Sequence, residues 1–200
     1  MSWLTSRFGS ERRLAKALVA WDAGDWRTAL DIWAPLAHRG NARAQSNVGA
    51  AFLEGRGVER DPAKAVQWLT LAARQGDVGG QRNLALCFDE GWGVAQDHTA
   101  AAHWYEKAAG QGDVDAMARL AELYHDALGI ARDPVKAANW WARAAELGHP
   151  HAQAMLGAAY LAGMGVPQDR DQARHWLERA QEGGAGELAA GFLAQLGKAA

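Results

Sequence analysis

Four aspartates recur along the chain at intervals of 36 residues: Asp61, Asp97, Asp133 and Asp169. Carboxylates often serve as general acids and bases, so a repeated carboxylate is the first candidate for chemistry. Each aspartate, however, stands directly before a helix-like apolar pattern, and Asp is a preferred acceptor for the free N–H groups at a helix N-terminus. We therefore interpret all four as helix caps, and the sequence predicts no catalytic residue.

The histidines and the single cysteine do not form a complete set of metal ligands. His149 and His151 lie close together, but structural zinc needs about four ligands, and no third His or Cys is near them in sequence. Cys87 is the only cysteine, which excludes an intramolecular disulfide and a cysteine-based zinc site. Its equivalents one repeat away are Ala51 and Leu123, so we interpret it as a small core residue. We expect neither a metal nor a cofactor.

The composition argues against two further classes of function. The chain has 200 residues and a formal net charge of −2, whereas a nucleic-acid-binding protein would carry a basic surface. No apolar run approaches the ~20 residues of a membrane-spanning helix, and residues 1–13 lack the apolar core of a secretory signal. We therefore expect no nucleic-acid ligand, no membrane span and a cytoplasmic location.

The interval of 36 residues organises the whole chain. Glycine, tryptophan and alanine each recur at this interval over four or five positions. The positions are Gly40, Gly76, Gly112, Gly148 and Gly184; Gly57, Gly93, Gly129 and Gly165; Trp68, Trp104, Trp140 and Trp176; and Ala65, Ala101, Ala137 and Ala173. A fixed period in this range indicates a solenoid, in which each unit buries its apolar face against its neighbours.

Each repeat contains two helical patterns. In the unit from Gly40, an apolar stripe predicts a first helix over about 42–54, and a second stripe that includes Trp68 predicts the next helix after Asp61. We expect the repeat tryptophans to be core residues, with Trp104 as the example. We also expect the glycines at positions 57, 93, 129 and 165 to have positive φ. Ala127 replaces a turn glycine, so the third repeat's first helix is expected to run on a little.

These patterns divide the chain into seven segments of one continuous solenoid domain. They are a flexible N-terminus (1–10), a divergent first helix pair (11–39), four repeats (40–75, 76–111, 112–147 and 148–183) and a C-terminal capping helix (184–200).

Thirteen positions of the first full repeat, with their equivalents at each 36-residue step, define one pattern. They are Ala44, Val48, Gly49, Phe52, Gly55, Gly57, Val58, Asp61, Ala65, Trp68, Ala72, Ala73 and Gly76. The pattern resembles the Sel1-like repeat family, a relative of the tetratricopeptide repeats. The resemblance implies an all-α fold, a right-handed superhelical solenoid of antiparallel helix pairs. It also implies a scaffold or adaptor that binds protein partners.

The residues outside the scaffold positions carry the best functional signal. By resemblance to the tetratricopeptide arrangement, residues between the apolar stripes of each first helix face the concave side. The ones that we assign to partner binding are Arg43, Asn47, Arg82, Asn83, Arg119 and Glu122. Asn can pair with a peptide backbone and Arg with carboxylates. We therefore predict a concave groove that binds an extended peptide, or an acidic or C-terminal segment, with Arg82 and Arg119 on adjacent first helices. The alternative is an ordinary solvated surface.

Trp92 stands in an inter-helix loop, where the other repeats have Arg56, Leu128 and Met164. A partly exposed Trp could anchor a partner, and loop packing is the alternative.

Two other classes of function stay open. One is a small-molecule binder or hydrolase of the kind suggested for the cysteine-rich branch of the family, although this chain lacks that branch's paired cysteines. The other is a self-assembling structural protein that uses its end faces. The partner's identity and the oligomeric state do not follow from the sequence.

Overall fold

The computed structural model describes residues 2–198, with side chains for residues 10–197, and all its regular elements are α-helices. The helices in this range are α1 (Ser2–Asp22), α2 (Trp26–His38), α3 (Ala42–Glu54), α4 (Pro62–Arg74), α5 (Val78–Glu90), α6 (His98–Gly110), α7 (Val114–Asp126), α8 (Pro134–Glu146), α9 (Pro150–Ala162), α10 (Arg170–Glu182) and α11 (Gly186–Lys198). The predicted all-α fold class is confirmed, and so is the first helix of the repeat over 42–54.

The four repeated aspartates cap the second helix of each repeat. Asp61 Oδ1 accepts a hydrogen bond from the backbone N–H of Lys64 at 3.0 Å, and Asp97, Asp133 and Asp169 each accept one from the residue three positions on. A carboxylate at this position satisfies a backbone donor that has no partner inside the helix. The interpretation of these aspartates as caps is confirmed.

The loop glycines are required both by backbone conformation and by space. Gly57, Gly93, Gly129 and Gly165 have φ between 67° and 74°, as predicted. A Cβ at position 93 would overlap the carbonyl group of Pro62, and one at position 165 would overlap that of Pro134. The loop therefore packs directly on the start of the preceding repeat's second helix, which is a second reason for glycine.

The expectation that α7 runs on past Ala127 is wrong. The helix ends at Asp126, and Ala127 adopts the left-handed conformation with φ 59° and ψ 34°. The glycines that close α3, α5 and α9 have nearly the same angles. The loop is closed by the same backbone hydrogen bond in each repeat, in which the residue after this position donates to the carbonyl five residues before it, as Leu128 does to Leu123. This bond holds Ala127 in a conformation that alanine disfavours.

The first helix begins at Ser2, whereas the sequence predicted a flexible end over residues 1–10 and a helix from Glu11. The segment has no repeat period, but it also has no proline. Extending an existing helix costs much less than nucleating one, so α1 continues through residues that carry no apolar pattern.

Contacts between helices divide the chain into two compact units, Met1–Trp104 and Tyr105–Ala200, and the boundary falls within α6. In the first unit each helix from α1 to α5 packs on the next, and the first helices α3 and α5 also contact each other. In the second unit α7 to α11 repeat this arrangement, and α9 contacts α11. The division of the chain into seven segments stays a prediction.

The position after each repeat tryptophan holds a fully buried large side chain. Leu69 in the first unit and Trp141 and Leu177 in the second are 0% exposed. Trp104, predicted as a core residue, is only partly buried and packs against the cluster that contains Leu69. Neighbouring residues on a helix point about 100° apart, so both cannot point to the centre of the core.

No helix in the described residues combines the length and the apolar character that crossing a membrane requires.

Candidate functional site

In the first unit, the predicted binding residues Arg43 and Asn47 line the same cavity. It lies between α1 and α3, has a volume of about 300 Å³, and is otherwise lined by Glu11, Leu14, Ala15 and Leu18. The structure thus brings two of the predicted residues together and adds a set of α1 residues that the sequence analysis did not assign to the site.

The signal for the α1 residues is present in the sequence but is hidden by a change of spacing. The loop of residues 23–25 is four residues shorter than the loop of residues 55–61. The first helix of this pair therefore aligns with that of the next pair at an interval of 32 residues, whereas the second helix keeps the interval of 36. At that interval Glu11 matches Arg43, Ala15 matches Asn47, and Leu18 matches Ala50.

Arg43 is the most open of the predicted cations for which a contact is defined. Its side chain is 69% exposed, and its Nε lies 3.9 Å from Asp77 Oδ2. Asp77 also caps α5, because its Oδ1 accepts a hydrogen bond from the N–H of Gly80 at 2.8 Å. The guanidinium therefore has one distant carboxylate beside it and stays accessible to a ligand.

Arg82 and Asn83 lie on α5 and are partly buried. The helix comes close to α3 at Gly79, where an added Cβ would lie 3.1 Å from Ser46 Oγ. Small residues at such points let neighbouring helices approach. Arg82 and Asn83 are thus carried by the helix that packs directly on the one with Arg43 and Asn47.

In the second unit, Arg119 and Glu122 form an ion pair with each other. Arg119 Nη1 lies 2.7 Å from Glu122 Oε2 on the same helix. The other carboxylate oxygen of Glu122 lies 3.1 Å from His151 Nε2 on α9. The hydrogen bond to Glu122 raises the pKa of His151, and burial and the nearby Arg119 oppose this rise. The role of Arg119 and Glu122 in binding a partner stays a prediction.

His149 has a structural role as a helix cap. Its Nδ1 accepts a hydrogen bond from the N–H of Ala152 at 3.1 Å, and its Nε2 lies 3.7 Å from Asp115 Oδ1. His149 and His151 also line a cavity of about 590 Å³ together with Pro150 and residues 183–188. Within the described part of the chain, no three His, Cys, Asp or Glu side chains are placed to hold a metal ion together.

Trp92 packs against the loop of the preceding repeat. The guanidinium of Arg60 lies 5.9 Å from the centre of its ring, and Arg60 Nε is fixed by a hydrogen bond to the carbonyl of Leu53 at 2.9 Å. Arg132 makes the same kind of contacts with the carbonyl of His125 and with Met164. Contacts with the loop thus cover part of the Trp92 ring, and 38% of the residue stays exposed. Its role as an anchor stays a prediction.

The sequence analysis missed a set of buried glutamines that connects successive pairs. Gln45, Gln81 and Gln153 are 3–4% exposed, and each Nε2 donates to a carbonyl near the end of the preceding second helix: Ala37, Ala73 and Ala145. The signal was their 36-residue spacing inside an apolar stripe, with Met117 as the exception. Each of these carbonyls also accepts a hydrogen bond from the backbone N–H three residues on, so the glutamine supplies a second donor from the next helix pair.

Cys87 is fully buried, and burial raises the pKa of its thiol to about 12. A thiol with so high a pKa is a poor nucleophile at neutral pH. This agrees with its interpretation as a core residue.

Comparisons with known proteins agree with the repeat. The model of the Sel1 repeat matches residues 42–77, 78–113, 114–149 and 150–184. A search of curated proteins found no match. Among solved structures, a Sel1 repeat protein from Oxalobacter formigenes is 31% identical with a TM-score of 0.82, and the match covers 91% of this chain and 74% of that one.

Two further structures give the same fold. A protective antigen of uropathogenic Escherichia coli strains, described as having an SLR fold, is 32% identical with a TM-score of 0.81. The match covers 90% of this chain but only 39% of that protein's chain. A putative Sel1 repeat protein from Klebsiella pneumoniae is 20% identical with a TM-score of 0.63, covers 94% of this chain and 93% of that one, and supports the fold alone. The chain belongs to the Sel1 repeat family.

Proposed function

We propose that the chain is a protein-interaction scaffold that binds an extended acidic or C-terminal segment of a partner on its first helices. Sel1 repeat proteins are generally protein-interaction scaffolds, and the fold is typically non-enzymatic. The proposal adds a surface and a class of ligand. We define the first-helix surface of the first unit as Arg43 and Asn47 on α3 with Arg82 and Asn83 on α5.

The observation that carries the proposal is the placement of an Arg and an Asn on each of two helices in direct contact. Helices that pack together lie about 8–10 Å apart, and an extended chain advances about 3.3 Å per residue. A segment that crosses from α3 to α5 therefore needs about three residues. The two guanidinium groups would pair with its carboxylates and the two amides with its backbone.

The second unit has a different part in the proposal. Glu122 already neutralises Arg119, at 2.7 Å. A partner carboxylate would have to compete with that pair, so we assign the main acidic contact to Arg43, whose Nε lies 3.9 Å from Asp77 Oδ2. We propose that Arg119 and Glu122 contribute polar contacts to the partner as a pair rather than as separate charges.

The test uses a fluorescein-labelled peptide of alternating Glu and Gly and a matched peptide of alternating Gln and Gly. Fluorescence anisotropy should give tighter binding of the Glu peptide, weakening as salt is raised. The double variant Arg43→Glu with Arg82→Glu should abolish this preference, because it replaces attraction by repulsion.

The control is Arg39→Glu with Arg74→Glu, which changes the net charge equally at two exposed residues outside this surface. It should bind the Glu peptide as the wild type does. Equal loss in both double variants, or equal binding of both peptides by the wild type, would refute the proposal.

A further inference from the structure

We infer that the cavity between α1 and α3 is a pocket for one aliphatic side chain of the partner segment. In the partner's sequence, the residue that carries this side chain lies about two positions before or after an acidic residue. This inference rests on the proposed function and adds to it the residue that anchors the segment.

The floor of the pocket is apolar and open to a ligand. Leu14, Ala15 and Leu18 supply it, and Leu18 is 51% exposed. Leu14 also packs on the core cluster that contains Ala17 and Trp33, which holds this part of the floor in place. A preformed apolar surface gains binding free energy from each aliphatic group that it removes from water.

The volume sets the size of the occupant. About 300 Å³ is at the lower end of the range for small-molecule pockets. This space suits a single Leu- or Met-sized side chain with its adjacent backbone. The pocket is therefore better matched to one residue of a longer segment than to a whole cofactor or drug-sized ligand.

The charges at the rim determine what stands next to the aliphatic residue. Arg43 lines the pocket on the α3 side, and Glu11 lines it on the α1 side. A carboxylate of the partner is attracted towards α3 by the charge of Arg43. The carboxylate should therefore lie towards α3 and α5, where Arg43 and Arg82 are found. Alternate residues of an extended chain are about 6.6 Å apart, which gives the separation of about two positions.

The test compares labelled peptides that have acidic residues on both sides of the central one, so that either chain direction can be accommodated. The first probe is Gly-Glu-Gly-Leu-Gly-Glu-Gly, and the second has Ser in place of Leu. Anisotropy should give about ten- to hundredfold tighter binding of the Leu probe by the wild type, as expected for burial of one aliphatic side chain.

Two variants on α1 test the position of the pocket. Leu18→Glu should remove the preference for Leu while the circular dichroism spectrum stays unchanged, because this side chain is half-exposed. Val19→Glu is the matched control, since Val19 is the next residue, is 70% exposed and does not line the cavity. It should keep the full preference.

The outcomes separate the inference from the proposed function. Equal binding of the Leu and Ser probes by the wild type, or a preference that survives Leu18→Glu, overturns the aliphatic pocket and leaves the acidic-segment proposal standing. Failure of the wild type to bind either probe overturns both. A wild-type dimer in sedimentation that Leu18→Glu dissociates would assign the pocket to a second copy of the chain and would also overturn the inference.

Discussion

Ala127 gives a quantitative test of how the loops constrain the helices. It is the one residue other than glycine with positive φ in the described chain, at 59°, and it is exposed. The substitution Ala127→Gly removes a methyl group that contributes little burial and relieves a disfavoured backbone conformation. We predict that this variant is more stable than the wild type.

The magnitude follows from two opposing effects. A left-handed conformation costs an L-residue about 1–2 kcal/mol, and substitution to Gly increases the entropy of the unfolded chain, which costs about 0.4–1 kcal/mol. The net gain should be about 0.5–1 kcal/mol in the free energy of unfolding. For a chain of this size, that corresponds to a rise of about 1–4 °C in Tm.

Thermal and urea unfolding, monitored by circular dichroism, would measure the change in the free energy of unfolding. Two control variants should show the opposite sign, a loss of stability. Ala190→Gly makes the same chemical change at an exposed position inside α11 and should lower stability by about 1 kcal/mol. Gly163→Ala should lower the free energy of unfolding, because it places an alanine in the same left-handed conformation at a second loop. An Ala127→Gly variant that loses as much stability as Ala190→Gly would show that left-handed strain does not account for this position.

Three further predictions concern buried and paired groups. The pKa of His151, measured by NMR titration, should lie above the ordinary histidine value and should fall in Glu122→Gln. Because the folded-state pKa is raised, the pair stabilises the fold below the unfolded-state pKa, and this contribution is lost as pH rises through the folded-state pKa. A titration midpoint of His151 that Glu122→Gln leaves unchanged would contradict the hydrogen bond as the cause of the raised pKa. Cys87 should resist a disulfide reagent in the folded protein and react after unfolding in urea, because burial raises its pKa to about 12; rapid labelling of the native protein would contradict this. Gln45→Met should cost about 0.5–1.5 kcal/mol, because it removes one buried hydrogen bond to the carbonyl of Ala37, which keeps the N–H of Gly40 as its other donor. A melting temperature equal to that of the wild type would contradict a stabilising role.

The parts of the fold that repeat could be predicted from the sequence, because each residue type has a local physical reason. Asp61 before Pro62 predicts a helix start in any protein, since capping depends on neighbouring backbone atoms. Glycine at position 93 predicts a turn for the same kind of reason. The end of α7 could not be predicted in this way, because Ala127 is held by the hydrogen bonds that close the loop and its own propensity opposes the conformation.

Spacing alone also could not rank the apolar positions within a helix. The tryptophans drew attention because of their size, yet the position after them is buried in every repeat. The buried glutamines were missed for a related reason: a polar residue in an apolar stripe suggests a surface until its carbonyl partner on another helix is known. The contact between Gln45 and Ala37 joins residues of different pairs, and a pattern within one pair cannot reveal it.

The candidate site was predicted in part, and the missing part lies where the period changes. Arg43 and Asn47, which line the cavity, could be proposed because they lie outside the repeated scaffold positions. Leu14 and Leu18 were not found, because the shorter loop after α1 moves them out of the 36-residue register.

The two units show that one scaffold position can serve different purposes. At the interval of 36 residues, Arg43 corresponds to His151. His151 is joined to Glu122 at 3.1 Å within the second unit, whereas Arg43 has its nearest carboxylate at 3.9 Å and borders an apolar pocket. A side chain that is already paired must exchange one partner for another when a ligand binds, and the net gain is small. An accessible cation beside an unfilled apolar surface gains from both contacts, which is why we assign the anchor of the partner segment to the first unit.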